Sequence, residues 1–587
     1  MVTNKYITRI ASVIMAAAVI LCLMASLFSD KLQEVYGNNA VTMKYESKLF
    51  STDQIMDIDI LMDEDDWNNM LENAISEEYY SCNVVVNGKT FYSVGIRPKG
   101  NTSLSSIAND PDTDRYSFKL EFDHYIEGQT CYGLDKLILN NNYADATNMK
   151  EAIVYDMYQY LGVDASLYNY AKISVNGDYR GVYLALEAVE DSFMLRNYGT
   201  EDGNLYKPEN MGVGGGMDGK DGDGWQMGEK PDGEDFPQKG EMPDGADFPQ
   251  KGEMPDGADF PQKDEMPYGE DFPQMGEAPN GEAADIKMGI MGGNGGSDLN
   301  YTDDDLDSYS TIWDGEITDT DKKDHKRVVE ALKNISEGTD LETYMDVDNI
   351  LKYMAVHTFV VNDDSLSGTM AHNYYLYEYN GKLNILPWDY NLSFGGMSMG
   401  GKMGGQSLGA TSVINDAIDM PFSITDFFDA LLENEEYLEQ YHGYLNELVE
   451  KYVNGGEFEK TYERIRSQID DLVGNDPTAF YSYEEYEEAA NMLIEVVQLR
   501  AKSVSGQLAG TIPSTDEGQQ QDSSNLIDGS DIDLSVMGSF SGGGGGNEGQ
   551  GKDNGFAGTP QPFDAGDVSP ISEEKADLQD SNQDSVK

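Results

Sequence analysis

Residues 81–98, SCNVVVNGKTFYSVGIRP, decide the fold class of this chain. β-Branched and aromatic residues flank Asn87-Gly88, a dipeptide that tolerates the positive φ angles of a two-residue hairpin turn, so the stretch reads as two antiparallel strands. The pattern continues outward. IMDIDILM (55–62) alternates as a strand, and DEDDWNNMLENA (63–74) has acids in its first turn and apolar residues at helical spacing, so it predicts a short helix. YSFKLEF (116–122) is a further strand, and LDKLILNN (134–141) leads toward a helix from about residue 146 to 161. A second hairpin turns at Asn176-Gly177, with GVYLALEAV (181–189) as its return strand. Farther on, HKRVVEALKNI (325–335), LETYMDVDNILKYMAVHTFVV (341–361) and residues 423–510 carry helical spacing. Strands first and helices later predict an α+β protein.

Composition divides the rest. Between residues 211 and 297 the chain is Gly, Pro, Asp, Glu and Met, and a 12-residue unit of the type MPDGADFPQKGE repeats four times, phased by Pro231, Pro243, Pro255 and Pro267. One large apolar residue per unit beside a helix-breaking Pro-x-Gly buries no core, so this reads as a disordered acidic insertion. It separates a strand-rich part (54–210) from a helix-rich part (298–513), and an acidic tail (514–587) is expected to be disordered. The aspartates of SDLNYTDDDLDS (297–308) lack the Gly and Glu of a calcium loop and read as a solvated turn.

The formal charge is −68, from 107 acidic against 39 basic residues. Such a surface excludes a protein that tracks nucleic-acid phosphates, but it leaves room for a nucleotide site built on a few local cations. Lys5 and Arg9 precede Ile10 to Phe28, an uncharged run of 19 residues, long enough to cross a bilayer. It reads as an N-terminal signal anchor (1–30) with the domain outside the cytoplasm, followed by a tether (31–53). A cleaved, secreted form is the alternative. Three cysteines, one within that run, exclude a disulfide framework; Cys82 and Cys131 read as isolated buried thiols, with pairing left open.

Two stretches carry chemistry. VNDDSLSGTMAHNYYLY (361–377) and ILPWDYNLSFGG (385–396) place Asp364, Asn373 and Asp389 within one strand–turn–strand excursion. Metal-dependent phosphoryl transfer needs oxygen ligands for the metal and a carboxylate that orients the attacking hydroxyl. Asp364 and Asp389 suit those roles; the alternative is a turn-capping Asp364 and a structural Asp389 beside Trp388. Five scattered histidines make no zinc set, and His372 draws no role from the sequence.

These stretches, together with 94–103, 115–122, 132–152, 175–193, 203–208 and 499–508 in one consistent order, resemble the CotH kinase family. The resemblance implies a two-lobed, atypical protein kinase-like fold with a strand-rich N-lobe and a helix-rich C-lobe. It implies ATP with Mg²⁺ or Mn²⁺ as cofactors and Ser or Thr of a surface or coat protein as substrate; a catalytically idle scaffold or adhesin is the alternative. It implies that VGIRPKGNTS, with Arg97 and Lys99, covers the phosphates. Lys119 would bind phosphate, oriented by an ion pair with Glu151, and Glu187 would lie at an interlobe hinge. Asp364 would be the catalytic carboxylate, Asn373 a second metal ligand, and Asp389 the metal-binding aspartate. The family's Asn-x-Asp-Ser selects Asp364 over Asp363, and Asn391 stands where many members carry Asp.

Overall fold

The hairpin at Asn87-Gly88 is one link of a closed barrel. The computed structural model of the protein describes residues 40–209, 295–398, 409–538 and 540–541, apart from 369 and 423. Its strands β1 (Met56–Leu61), β2 (Tyr80–Val86), β3 (Lys89–Lys99), β4 (Ser117–Glu121), β5 (Lys136–Asn140), β6 (Tyr168–Val175) and β7 (Asp178–Glu187) close in the order β1-β2-β3-β4-β5-β7-β6. All neighbours are antiparallel except β1 and β6, whose parallel pairing of Met56 with Ala171 through Ile60 with Val175 completes the ring. Asn87 and Gly88 have φ of 48° and 78°, Asn176 and Gly177 of 53° and 88°, as a right-twisted two-residue hairpin requires.

Alternation sets the two faces. Ile58, Val84, Ile96, Phe118, Leu120 and Leu139 fill the barrel interior. On β3 and β4, Arg97 lies across from Lys119, on the face opposite those apolar residues. Around β5, β7 and β6 the outer face is buried as well. Ile138, Leu184 and Leu186 share a second core with Tyr155 and Tyr158 of helix α1 (Lys150–Leu161) and Met354 of α2 (Val347–Val360). Strands buried on both sides read as continuous apolar runs, which is why LILN and VYLALEAV show weak alternation.

The expected two-lobed kinase-like arrangement is corrected by this barrel. The parallel β1–β6 pairing closes the sheet on itself, and the barrel and the helices form one compact unit. Arg115, just before β4, is 1% exposed and clamps the two together. Its guanidinium donates to Asn141 O (3.0 Å), Val182 O (2.6 Å), Thr478 Oγ1 (2.8 Å) and Asp476 Oδ2 (2.7 Å). Asp476 and Thr478 lie between helices α3 (Glu457–Gly474) and α4 (Tyr483–Leu508). The crossing is close enough to require Gly181: a Cβ there would collide with Arg115 Nη1 and lie 2.7 Å from Asp476 Oδ2.

A second sheet, β10 (Lys382–Pro387), β9 (Tyr374–Tyr379) and β8 (Asn204–Tyr206) in that order, sits among the helices. β8 therefore pairs with a strand that follows the repeats by many residues.

Within the stretch read as a tether, Tyr45 is fully buried and donates to Glu187 Oε1 at 2.5 Å. The start of the expected tail also packs: Met537 is buried and its carbonyl accepts from Ala146 N–H at 3.1 Å. Cys82 and Cys131 are free and buried, and burial pushes both thiols up to about 12. Among the described residues no helix is long and apolar enough to cross a membrane. The expected anchor (Ile10 to Phe28), the repeats from 211 to 294 and the tail beyond 541 lie outside the described residues.

Candidate active site

The β9–β10 hairpin assembles the site. Asn380 and Gly381, with φ of 54° and 85°, turn it, and the register pairs Tyr374 with Pro387 at its open end. Residues just before β9 therefore lie beside residues just after β10, which brings His372 and Asn373 to Trp388 and Asp389. The chain reaches β9 from the end of α2 through the loop that carries Asp364. Asn373 Nδ2 donates to Asp364 O (2.7 Å) and to Asp364 Oδ2 (3.1 Å), and His372 Nε2 lies 3.1 Å from Asp364 Oδ1. Each carboxylate oxygen is thus held from a different side.

Backbone strain concentrates here. Val361, Ala371, Asn373 and Asp389 have φ of 49°, 46°, 58° and 60°. Asn and Asp tolerate the left-handed region, but β-branched Val361 does not, and such conformations cost on the order of 1–3 kcal/mol each. The surrounding packing holds them: Val361 is 7% exposed and its N–H closes the α2 terminus on His357 O at 3.1 Å.

The barrel contributes the other wall. Lys99, at the end of β3, donates to Asn140 Oδ1 (3.2 Å), and its ammonium stands 5.6 Å from the centre of the Trp388 ring. Asn140 Nδ2 in turn donates to Glu151 Oε2 (2.9 Å) in the first turn of α1. Burial pushes the Glu151 carboxyl up to about 8, the Asp389 charge adds to the rise, and Asn140 and Lys99 offset only part of it. Glu151 Oε1 makes no hydrogen bond of good geometry, and the Tyr390 backbone N–H beside the carboxyl is the smallest of the influences that lower it. Burial also raises Asp389, against the opposing charges of Lys99, Lys207 and His372, while Asp364 pushes it further up. Burial works against a charged His372, yet its bond to Asp364 and the nearby charges of Asp389 and Glu209 lift it above the ordinary imidazole value.

Glu151→Gln should therefore flatten the pH dependence of stability. The folded state holds the Glu151 proton more tightly than the unfolded chain, so this contribution is complete below about pH 4.5 and is lost as pH rises through about 8. Thermal melts between about pH 5 and pH 8 should fall more steeply for the wild type than for the variant. Parallel slopes would show that Glu151 is ionised in the folded protein.

The remaining expected site residues are placed elsewhere. VGIRPK does not form a loop but continues β3 to Lys99, and a short helix, Thr102–Ala108, follows. Arg97 pairs with Glu77 and donates to Pro98 O at 3.3 Å. The expected Lys119–Glu151 pair is not formed: Lys119 Nζ lies 2.9 Å from Glu190, which Lys136 also engages. Glu187 is fully buried and structural, accepting from Tyr45, from Leu167 N–H (3.1 Å) and from both Nε and Nη2 of Arg196 (2.9 and 2.6 Å). His372 and Lys207 were not legible as site residues. Their only signal was position, two residues before β9 and immediately after β8.

Among the described residues no three His, Cys, Asp or Glu side chains converge as a metal cage. No curated protein matches the chain. The family described as CotH kinase protein matches residues 96–263 and 277–504, which take in every residue of this site. With that match running from β3 through most of α4, the chain belongs to the CotH kinase family.

Proposed function

We propose that the chain transfers the γ-phosphoryl group of ATP to a serine or threonine hydroxyl of a protein, in a reaction that requires Mg²⁺ or Mn²⁺. The observation that carries this reading is the meeting of Asp364, His372 and Asn373 with Asp389, opposite Lys99 and Glu151. The donor set fits a divalent cation: a buried carboxyl with an oxygen that makes no hydrogen bond of good geometry, held neutral partly by a second carboxylate, marks a surplus of anionic groups. Mg²⁺ commonly takes one or two carboxylates and completes its shell with phosphate oxygens and water, so no protein-only cage is needed. Asp389 and the side-chain oxygen of Asn373 are the groups that would hold it. Bound there, it would neutralise charge on the phosphates.

The protein's own groups do the positioning. Lys99 offers its ammonium to a phosphate from the end of β3. Asp364, fixed by Asn373 and His372, points a carboxylate oxygen at an incoming hydroxyl and accepts its proton as the hydroxyl oxygen bonds to the γ-phosphorus and the γ-phosphorus–oxygen bond to ADP breaks, ADP leaving. A surface or coat protein is the substrate class that the family resemblance supports.

Incubation of the full chain with labelled ATP, each metal and a Ser/Thr-containing protein tests the reading. Label transfer that stops on chelation is expected. Absence of both transfer and nucleotide binding by calorimetry would refute it and leave a scaffold or adhesin of the same family.

A further inference from the structure

A buried chain of hydroxyls and one imidazole joins the two halves of the site. Tyr158 Oη, on α1, donates to Tyr390 Oη at 2.6 Å. Tyr390 directly follows Asp389, and its hydroxyl lies 3.0 Å from His357 Nδ1. His357 Nε2, in the last turn of α2, lies 2.8 Å from Ser367 Oγ and 3.4 Å from Ser365 Oγ. Both serines donate to Asn362 O, at 2.9 and 3.2 Å. The Asn362 side chain accepts from Asp364 N–H at 3.4 Å. His357 is 2% exposed, Ser365, Tyr158 and Tyr390 are fully buried, and Asn362 is 1% exposed.

Proton counting orders this chain. With each serine donating its single hydroxyl proton to Asn362 O, Ser367 Oγ accepts from His357, and the ring then carries its proton on Nε2. Nδ1 is then bare and accepts from Tyr390, whose oxygen accepts from Tyr158. Burial pushes the imidazole down to about 3, which keeps the ring neutral. From Tyr158 to the Asn362 carbonyl the bonds run the same way, from α1 through the Asp389 segment and α2, and the Asp364 N–H donates back to the Asn362 side chain.

We propose that His357 is a positioning residue that fixes the Asp364 loop relative to Asp389, through Ser367 on one side and Tyr390 on the other. This rests on the phosphoryl-transfer reading only for its kinetic consequence; the tautomer and the connectivity stand apart from it. Tyr390 lies one residue from Asp389, and Asn362 two residues from Asp364. The strained Val361, Ala371 and Asp389 backbone needs such a constraint to keep its shape.

The test uses the full chain with histidine ¹⁵N-labelled. Proton-detected ring spectra should show wild-type His357 with Nε2 protonated and Nδ1 bare. Tyr390→Phe, which removes the donor to Nδ1, should change that tautomer balance. In kinetics, Ser367→Ala and Tyr390→Phe should lower kcat by about a hundredfold, the scale of a misplaced reacting group, with ATP affinity by calorimetry unchanged. Ser367→Thr, which restores the hydroxyl, should recover most of the rate. An Nδ1-protonated ring in the wild type overturns the inference. So does a folded Ser367→Ala protein with wild-type kcat, or a loss of rate that Ser367→Thr does not rescue. Absence of transfer by the wild type would count against the catalytic reading alone, because the ring spectra still decide the connectivity.

Discussion

Asp389→Ala is expected to lower metal-dependent phosphoryl transfer by about a thousandfold, the scale seen when one preorganised charge-stabilising group is removed. The fold should survive. Asp389 follows β10 rather than lying within the sheet, and it holds a carboxylate raised by burial and by Asp364, so its removal relieves repulsion with Asp364 and Glu151. Metal affinity should fall with the rate, measured by titrating the metal against transfer. Asp364→Asn should behave differently. The amide keeps the shape between Asn373 and His372 but cannot take a proton, so turnover drops more than ATP affinity does. If both variants kept wild-type rates, the two aspartates would be structural, as a turn cap and a buried acceptor.

Arg115→Met should be the most damaging single change to stability, by about 3–5 kcal/mol, the cost of leaving one member of a buried ion pair uncompensated. Arg115 and Asp476 side chains are each 2% exposed. Losing the guanidinium removes the counter-charge of Asp476, which keeps only the neutral donors of Val182 and Thr478, and takes a donor from the carbonyls of Asn141 and Val182. Packing adds to the loss, because the guanidinium also lies 4.5 Å from the Tyr183 ring centre. Urea melts should show one cooperative transition at a lower midpoint. The double variant Arg115→Met/Asp476→Leu should recover much of the loss, since two apolar groups leave no buried charge behind. Two separated transitions in Arg115→Met would instead mean that the barrel and the helices fold independently.

Local chemistry made several elements legible. Asn87-Gly88 and Asn176-Gly177 announce their hairpins because few other residue pairs accept two positive φ angles, and both form. DEDDWNNMLENA yields the helix Glu64–Glu72 because Asp63 caps it, accepting from Asp65 N–H at 3.0 Å. Asp364, Asn373 and Asp389 were legible as a group because the strands between them are short and joined by a tight turn. In each case the cause lies within a few residues of the effect.

Tertiary structure alone decided the rest. Closure of the barrel depends on β6 meeting β1 in parallel, a pairing across more than a hundred residues that no turn residue marks. Strand order likewise chose the partners of charged side chains. Lys119 meets Glu190 rather than Glu151 because β4 lies next to β5, whose Lys136 also reaches Glu190. Glu187 became a buried ligand of Arg196 and Tyr45 because residues before β1 fold back over β7. His372 and His357 acquired partners from loops brought together by β9 and α2. A charge or an imidazole on a strand carries no sequence mark of what will face it. That is set by register and long-range packing, where burial fixes which pairs form and the sequence pattern records only which face each residue occupies.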